Sequence, residues 1–185
     1  MNEEALIGLL KSGQREAFAE LVDAFRTPVL NICYRFLLNR EDAEDVSQEV
    51  FIEVFRSIRN FRGESKLSTW IYRIAATKSM SEIKKKNRKK RISSVGKTLG
   101  LEKLGNWLTD PERPDKSLEE AEGYTLLMKA LDSLPENQRI ALTLSKMDGY
   151  TNTEIAGIMQ TTVTAVDSLI YRSRQNLKNF YKKNN

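Results

Sequence analysis

Four carboxylates, Asp42, Asp45, Glu49 and Glu53, recur at i, i+3, i+7 and i+11, with Gln48 beside them. On a helix that spacing lines them along one face. Carboxylates can act as general acids and bases or hold a metal, but both roles need groups converging from separate elements on a pocket, and a single helix strings them out along its axis. The chain has no histidine, which removes histidine triads, proton shuttles and the usual zinc sets, and its one cysteine, Cys33, can form no internal disulfide. No metal, cofactor, catalytic residue or small-molecule substrate is therefore expected. Like charges on one face repel, which is tolerable when the face is solvated or meets a basic partner. Taken alone, the stripe is more simply a solvated face.

Two other groupings suit nucleic acid. Trp70 and Tyr72 stand with Arg73, Lys78 and the run KKKNRKKR at 84–91, preceded by a loop carrying Asn60, Phe61, Arg62, Ser65 and Lys66. Aromatic rings beside cations fit single-stranded or melted nucleic acid, where unpaired bases stack and phosphates are held. For Trp70, core packing is an equally natural role. Near the C-terminus, Ser168, Tyr171, Arg172 and Gln175 share a helical face with Thr164 and Asp167. Such side chains can reach base edges in a major groove, while Arg174, Lys178 and Lys182 favour phosphates. An ordinary amphipathic helical pair is the bland alternative for that segment, and the less favoured one.

The elements that must position these groups are helical. Strand signals are nearly absent, and apolar residues recur at three- and four-residue spacing, so the expected fold class is all-α. In 16–37, Phe18, Leu21, Val22, Phe25, Val29, Ile32, Cys33, Phe36 and Leu37 form one stripe, with a kink or break predicted at Pro28. Cys33 lies on that stripe, as a buried structural thiol would. A second helix is predicted over 41–58, burying Ala43, Val46, Val50, Phe51, Val54 and Ile58. A third starts near Ser68 as N-cap and runs past Ile83 before dissolving into the basic run. From 93 to about 122 periodicity is lost and Pro111 and Pro114 appear, as in a solvated linker. Pro135 then opens a helix through Met147 that Gly149 can stop. Thr151 and Glu154 fit a capping box, opening a short helix, and a turn at 160–162 leads to a helix over 163–181. With small Ala156 at the crossing, this is a helix-turn-helix pattern.

At 185 residues, 40% hydrophobic and 30% charged, the chain suits one compact domain or two small ones. Its net charge of +5 is unevenly spread: REDAEDVSQE at 40–49 is acidic, whereas 84–91 and the C-terminal RSRQNLKNFYKKNN are basic. That distribution suggests two kinds of partner, nucleic acid for the basic zones among them, although a solvated charged face accounts for either run equally well. No stretch approaches the roughly 20 apolar residues that cross a bilayer, and MNEEALIGLLKSG begins with acids, so a cytoplasmic location is expected.

DAEDVSQEVF (42–51), FRGESKLSTWIYRIA (61–75) and SLPENQRIALTLSKMDGYTNTEIAGIM (133–159), in this order, resemble the extracytoplasmic-function (ECF) sigma factors of bacterial RNA polymerase. The resemblance implies two small helical domains: a promoter-melting, region 2 domain at 1–92 and a −35-reading, region 4 domain at 121–185, joined by a flexible linker at 93–120. By the same resemblance Asp42, Asp45, Gln48, Glu49 and Phe51 would dock on the clamp helices of the polymerase β′ subunit. The 60–68 loop, with Asn60, Phe61, Arg62, Ser65, Lys66 and Ser68, would hold a base flipped from the −10 element, beside a strand-separation surface of Trp70, Arg73 and Thr77. The helix from Thr162, with Thr164, Asp167, Ser168, Tyr171, Arg172 and Arg174, would enter the major groove at the −35 element. The linker would thread toward the RNA exit path. Core polymerase (β′ and β), promoter DNA and an anti-sigma factor are the implied partners.

Ala76 and Thr77 stand where the family often has an Arg-Asn pair, Ser81 where Asp is frequent, and Asp167 where a basic residue is common. An acid at 167 could accept from a cytosine amine but repels phosphate, so promoter preference cannot be copied from relatives. Two rivals remain. A polymerase-independent helix-turn-helix regulator leaves the acidic helix and the Trp70 region idle, and it predicts a dimerisation helix that the sequence lacks. A nucleic-acid-processing enzyme would need converging carboxylates.

Overall fold

A helix continues while one face can be buried, and some begin where a side chain caps the open backbone donors; the computed structural model describes residues 3–93, 118–146 and 150–184. α1 (Glu3–Lys11) turns at Gly13, whose φ of 81° needs no Cβ strain, into α2 (Arg15–Leu37). Pro28 does not break α2, which runs through it. The expected break would cost the burial of Leu21, Val29 and Cys33, all 0% exposed, and that burial outweighs the roughly 3 kcal/mol of an interior proline.

Leu38 adopts the left-handed conformation (φ 52°) and donates its N–H to Tyr34 O, ending α2. Asn39 at once caps α3 (Arg40–Ser57), its side chain accepting from the Asp42 amide at 3.0 Å. After a 3₁₀ turn (Ile58–Asn60) and a loop turning at Gly63 (φ 75°), α4 spans Leu67–Ser93. Two expectations are corrected here. Ser68 is not the N-cap: α4 starts at Leu67, whose amide donates to the Glu3 carboxylate of α1 at 3.1 Å. Nor does α4 dissolve into the basic run, because lysine and arginine are good helix formers and the run is braced by Lys85–Glu82 within the helix and Lys86–Asp42 across to α3.

α5 (Leu118–Asp132) starts inside the stretch expected to lack periodicity. Most of the linker at 93–120, with Pro111 and Pro114, lies outside the described residues, as do Met147 and Gly149. α6 (Glu136–Ser145) has Pro135 at its N-cap, one place earlier than expected. α7 (Asn152–Met159) and α8 (Val163–Asn184) complete an all-α fold.

The core is one contiguous apolar cluster. α2, α3 and α4 supply Val29, Phe36, Val46, Val50, Val54, Ile71 and Ala75, and α6–α8 add Ile140, Leu144, Ile155 and Val166. A smaller cluster of Met128, Leu131, Leu134 and Leu142 packs with Tyr34, Leu38 and Leu177. The N-terminal bundle and the C-terminal helices therefore touch, α6 against α2 and α7 against α4. Arg139, buried in this seam, donates to Phe36 O at 3.2 Å at the end of α2, satisfying one of the carbonyls a helix terminus leaves open.

Candidate functional site

The acidic stripe of α3 divides once α4 lies against it. Asp42 pairs with Lys86 and Glu53 with Lys78 at 3.3 Å, so the two outer carboxylates serve the helix packing. Asp45, Gln48 and Glu49 remain exposed, and Phe51 is half-buried against the core. Two residues outside the sequence reading join that face: Ile52 and Phe55 are 50% and 56% exposed, large apolar side chains left in water. Phe55 is steadied by an edge-on contact with Phe18 of α2, ring centroids 5.1 Å apart. Asp45, Gln48, Ile52 and Phe55 follow helical spacing, a signal that was legible but masked by the stronger apolar stripe on the opposite face.

The loop before α4 presents Asn60, Arg62 and Lys66 to solvent, while Ser65 is half-buried and its hydroxyl donates to Lys66 O at 3.3 Å. Phe61 is placed otherwise. It is 4% exposed and lies 5.2 Å from the Trp70 ring, closing the loop onto the core rather than offering a stacking surface. Trp70 is half-buried by the same contact, and Ser68 is half-buried in the first turn of α4. Thr77 is exposed and donates its hydroxyl to Arg73 O at 2.8 Å. Ala76 is fully buried, so a polar side chain there would have to be desolvated. Cys33 is likewise fully buried, and desolvation pushes its thiol up to about 11.

The helix-turn-helix is built locally. The Thr151 hydroxyl accepts from the Glu154 amide at 3.2 Å and the Glu154 carboxylate accepts from the Thr151 amide at 2.9 Å, a capping box that opens α7. The Thr151 amide first, and then the Thr151 hydroxyl, which donates to the same carboxylate at 2.9 Å, hold the Glu154 carboxyl below its ordinary value. Gln160, left-handed at φ 55°, turns the chain, and the Thr162 hydroxyl accepts from the Ala165 amide at 3.2 Å to cap α8. Ala156 is 5% exposed, and Val166 and Ile170 bury the inner face of α8. Outward, Thr164, Asp167, Ser168, Tyr171, Arg172, Arg174 and Gln175 are all exposed, Tyr171 by 65%. Asp167 accepts from the Asn152 side chain at 2.6 Å, which ties the acid to the start of α7.

The structure also joins residues that the sequence kept apart. Arg73 of α4 donates to Glu154 of α7 at 2.7 Å, and its guanidinium lies 5.5 Å from the centre of the Tyr150 ring. Glu154 was legible as a cap, but nothing local signalled a partner so distant in the chain. Among the described residues, no three His, Cys, Asp or Glu side chains cluster as metal ligands would, and no helix is long and apolar enough to cross a membrane.

Two family models match: Sigma-70 region 2 over residues 21–89 and Sigma-70, region 4 over residues 124–177. The chain is 32% identical over 174 residues to the RNA polymerase sigma-H factor of Pseudomonas aeruginosa, covering 94% of this chain and 90% of that protein. It is 31% identical over 170 residues to the ECF RNA polymerase sigma factor SigW of Bacillus subtilis, covering 91% of each. With the ECF RNA polymerase sigma-E factor of Escherichia coli the identity is 31% over 181 residues, 97% of this chain and 94% of that protein. Among solved structures, the fold is shared with the sigma factor RpoE of Bartonella quintana, crystallised with the anti-sigma factor NepR, at a TM-score of 0.64 and 20% identity, covering 89% of this chain and 96% of that one.

Proposed function

The chain belongs to the ECF sigma factors of bacterial RNA polymerase, and from that premise we propose how its surfaces divide the work of promoter recognition. As a sigma factor it is a non-catalytic initiation factor: it supplies binding free energy and leaves bond formation to the polymerase, in the cytoplasm where both promoter and polymerase lie. Residues 1–92 act as the region 2 domain and 121–185 as the region 4 domain, with 93–120 between them. The two family matches, at 21–89 and 124–177, fall inside these bounds and support them.

The observation that carries the reading is the pairing of two exposed surfaces of opposite chemistry on separate elements. α8 holds Ser168, Tyr171 and Arg172 outward on a capped helix-turn-helix, fitted to base edges at the −35 element, with Thr162, Thr164, Asp167 and Arg174 at its borders. α3 holds Asp45, Gln48 and Glu49 outward, an acidic face for the β′ clamp helices, with Asp42 and Phe51 shaping it from the packed side. Asn60, Arg62, Ser65, Lys66 and Ser68 line the −10 loop, which Phe61 anchors from beneath, and Trp70, Arg73 and Thr77 form the adjoining surface for the separated strand. An anti-sigma factor would act by covering one or more of these faces. A polymerase-independent regulator would leave the exposed α3 face without a task.

The test is reconstituted transcription: purified chain plus bacterial core polymerase on a library of promoter fragments. Chain-dependent start sites sharing two upstream motifs are expected. Duplex binding without association with core polymerase would replace this reading with the regulator.

A further inference from the structure

α8 carries five cations, Arg172, Arg174, Lys178, Lys182 and Lys183, and a single acid, Asp167. On a helix that meets duplex DNA an acid is costly, because phosphate repels it, unless it accepts from a base. Asp167 is the fifth residue of α8, in the N-terminal part through which a recognition helix touches base edges, and it is exposed beside Thr164 and Tyr171 on the outward face. It is also held in place. Asn152, the first residue of α7 and itself exposed, donates its side-chain amide to Asp167 Oδ1 at 2.6 Å across the turn between the two helices. Water would solvate an exposed carboxylate without help, so the consequence of this bond is orientation. With Oδ1 engaged, the side chain is ordered in advance, and Oδ2 remains an acceptor.

We propose that Asn152 and Asp167 form a cytosine-reading pair, in which Asn152 positions the Asp167 carboxylate to accept from the N4 amine of one cytosine in the −35 duplex. The inference rests on the reading of α8 as the helix that enters that duplex. The choice of base follows from the edges that the major groove displays. Guanine offers N7 and O6, both acceptors, and thymine offers O4 and a methyl group, so neither can donate to a carboxylate. Adenine has a donor at N6 but sets the N7 acceptor beside it, which repels an anion. Cytosine presents its N4 donor with no acceptor on the same edge. Asp167 therefore specifies one base pair, and Asn152 is a positioning residue that acts through it. A single acceptor lies at the low end of base discrimination, about five- to ten-fold for cytosine over the other bases.

The test selects from a pool of duplexes randomised over the upstream promoter, using the full chain alone and the full chain joined to bacterial core polymerase. Sequencing the bound fraction gives the base preference at each position. Wild type should prefer cytosine about five- to ten-fold at one position. Asp167→Asn should turn that position toward adenine, whose N6 and N7 suit an amide, and leave the other positions as they were. Asp167→Ala should lose the preference while overall affinity rises, since phosphate repulsion is removed. Asn152→Ala should cut the discrimination to about two- to three-fold, because the carboxylate must then be ordered on binding. Asn152 is exposed, so the thermal midpoint and the preferences elsewhere should match wild type. No enriched duplex in either form, a motif that both Asp167 variants leave unchanged, or an Asn152→Ala chain that melts earlier yet keeps the full cytosine preference would each overturn the proposal. Chain-dependent initiation is scored separately: cytosine reading without initiation would refute the sigma reading and leave the pair standing.

Discussion

Replacing Thr151 with alanine removes the hydroxyl that accepts from the Glu154 amide at 3.2 Å and donates to the Glu154 carboxylate at 2.9 Å, while the Thr151 amide keeps its bond to that carboxylate. Loss of such a cap costs about 1 kcal/mol. The effect is concentrated because α7 has only 8 residues, too few to persist without its neighbours. For a chain of this length the thermal midpoint should fall by about 2–4 °C, and duplex −35 affinity by no more than about five-fold, since α7 only supports α8. Thr151→Ser, which keeps the hydroxyl, should restore both. The effect also has a predictable pH dependence. Glu154 is held below its ordinary value in the folded chain, so its contribution is present above the unfolded carboxyl value of 4.5 and is lost as pH falls through the lower folded value. The stability gap between wild type and Thr151→Ala should therefore narrow in acid without closing, because the bond from the Glu154 amide to the hydroxyl does not titrate. Calorimetry in a pH series that runs from pH 7 to well below 4.5 reads this directly. An unchanged midpoint, or a serine variant no better than alanine, would refute the capping argument.

Charge reversal of both Asp45 and Glu49 to lysine should abolish association with core polymerase in a pull-down; these are exposed side chains, so the midpoint should move little, surface changes costing about 0.5 kcal/mol or less. Arg172→Ala should weaken duplex binding by about 1–3 kcal/mol, the value of a good base contact, with polymerase affinity unchanged; equal loss of both would count against separate surfaces. Phe61→Ala should destabilise the fold by about 3 kcal/mol in denaturant melts, since the ring is buried against Trp70, whereas Arg62→Ala, on an exposed neighbour, should spare stability and reduce single-strand binding.

Much of the fold was legible because its signals are local. Apolar spacing defined α2 and α3 within a residue or two, the Thr151–Glu154 pair announced α7, and the sequence from 151 onward reads as a helix-turn-helix. The departures share a different cause. Pro28 was expected to kink or break α2; the break does not occur, and the helix persists because burial on both sides of the proline outweighs the lost bond. Ser68 was expected to cap α4, and the cap comes instead from Glu3, 64 residues earlier in the chain. The basic run continues α4 because Asp42 of α3 lies within reach of Lys86.

The candidate surfaces divide in the same way. Residue types and helical spacing established an acidic face, an aromatic and basic face and a polar recognition helix. Only tertiary structure decided which members of each are available: Asp42 and Glu53 are spent on α4, Asp45 and Glu49 are not buried with them, Phe61 turns inward, and Arg73 meets Glu154 across 81 positions. A cap or a hydrophobic stripe is satisfied within about four residues and so is written in the sequence nearby. Burial and ion pairing depend on which distant helix arrives beside a side chain, and that is fixed only when the whole core closes.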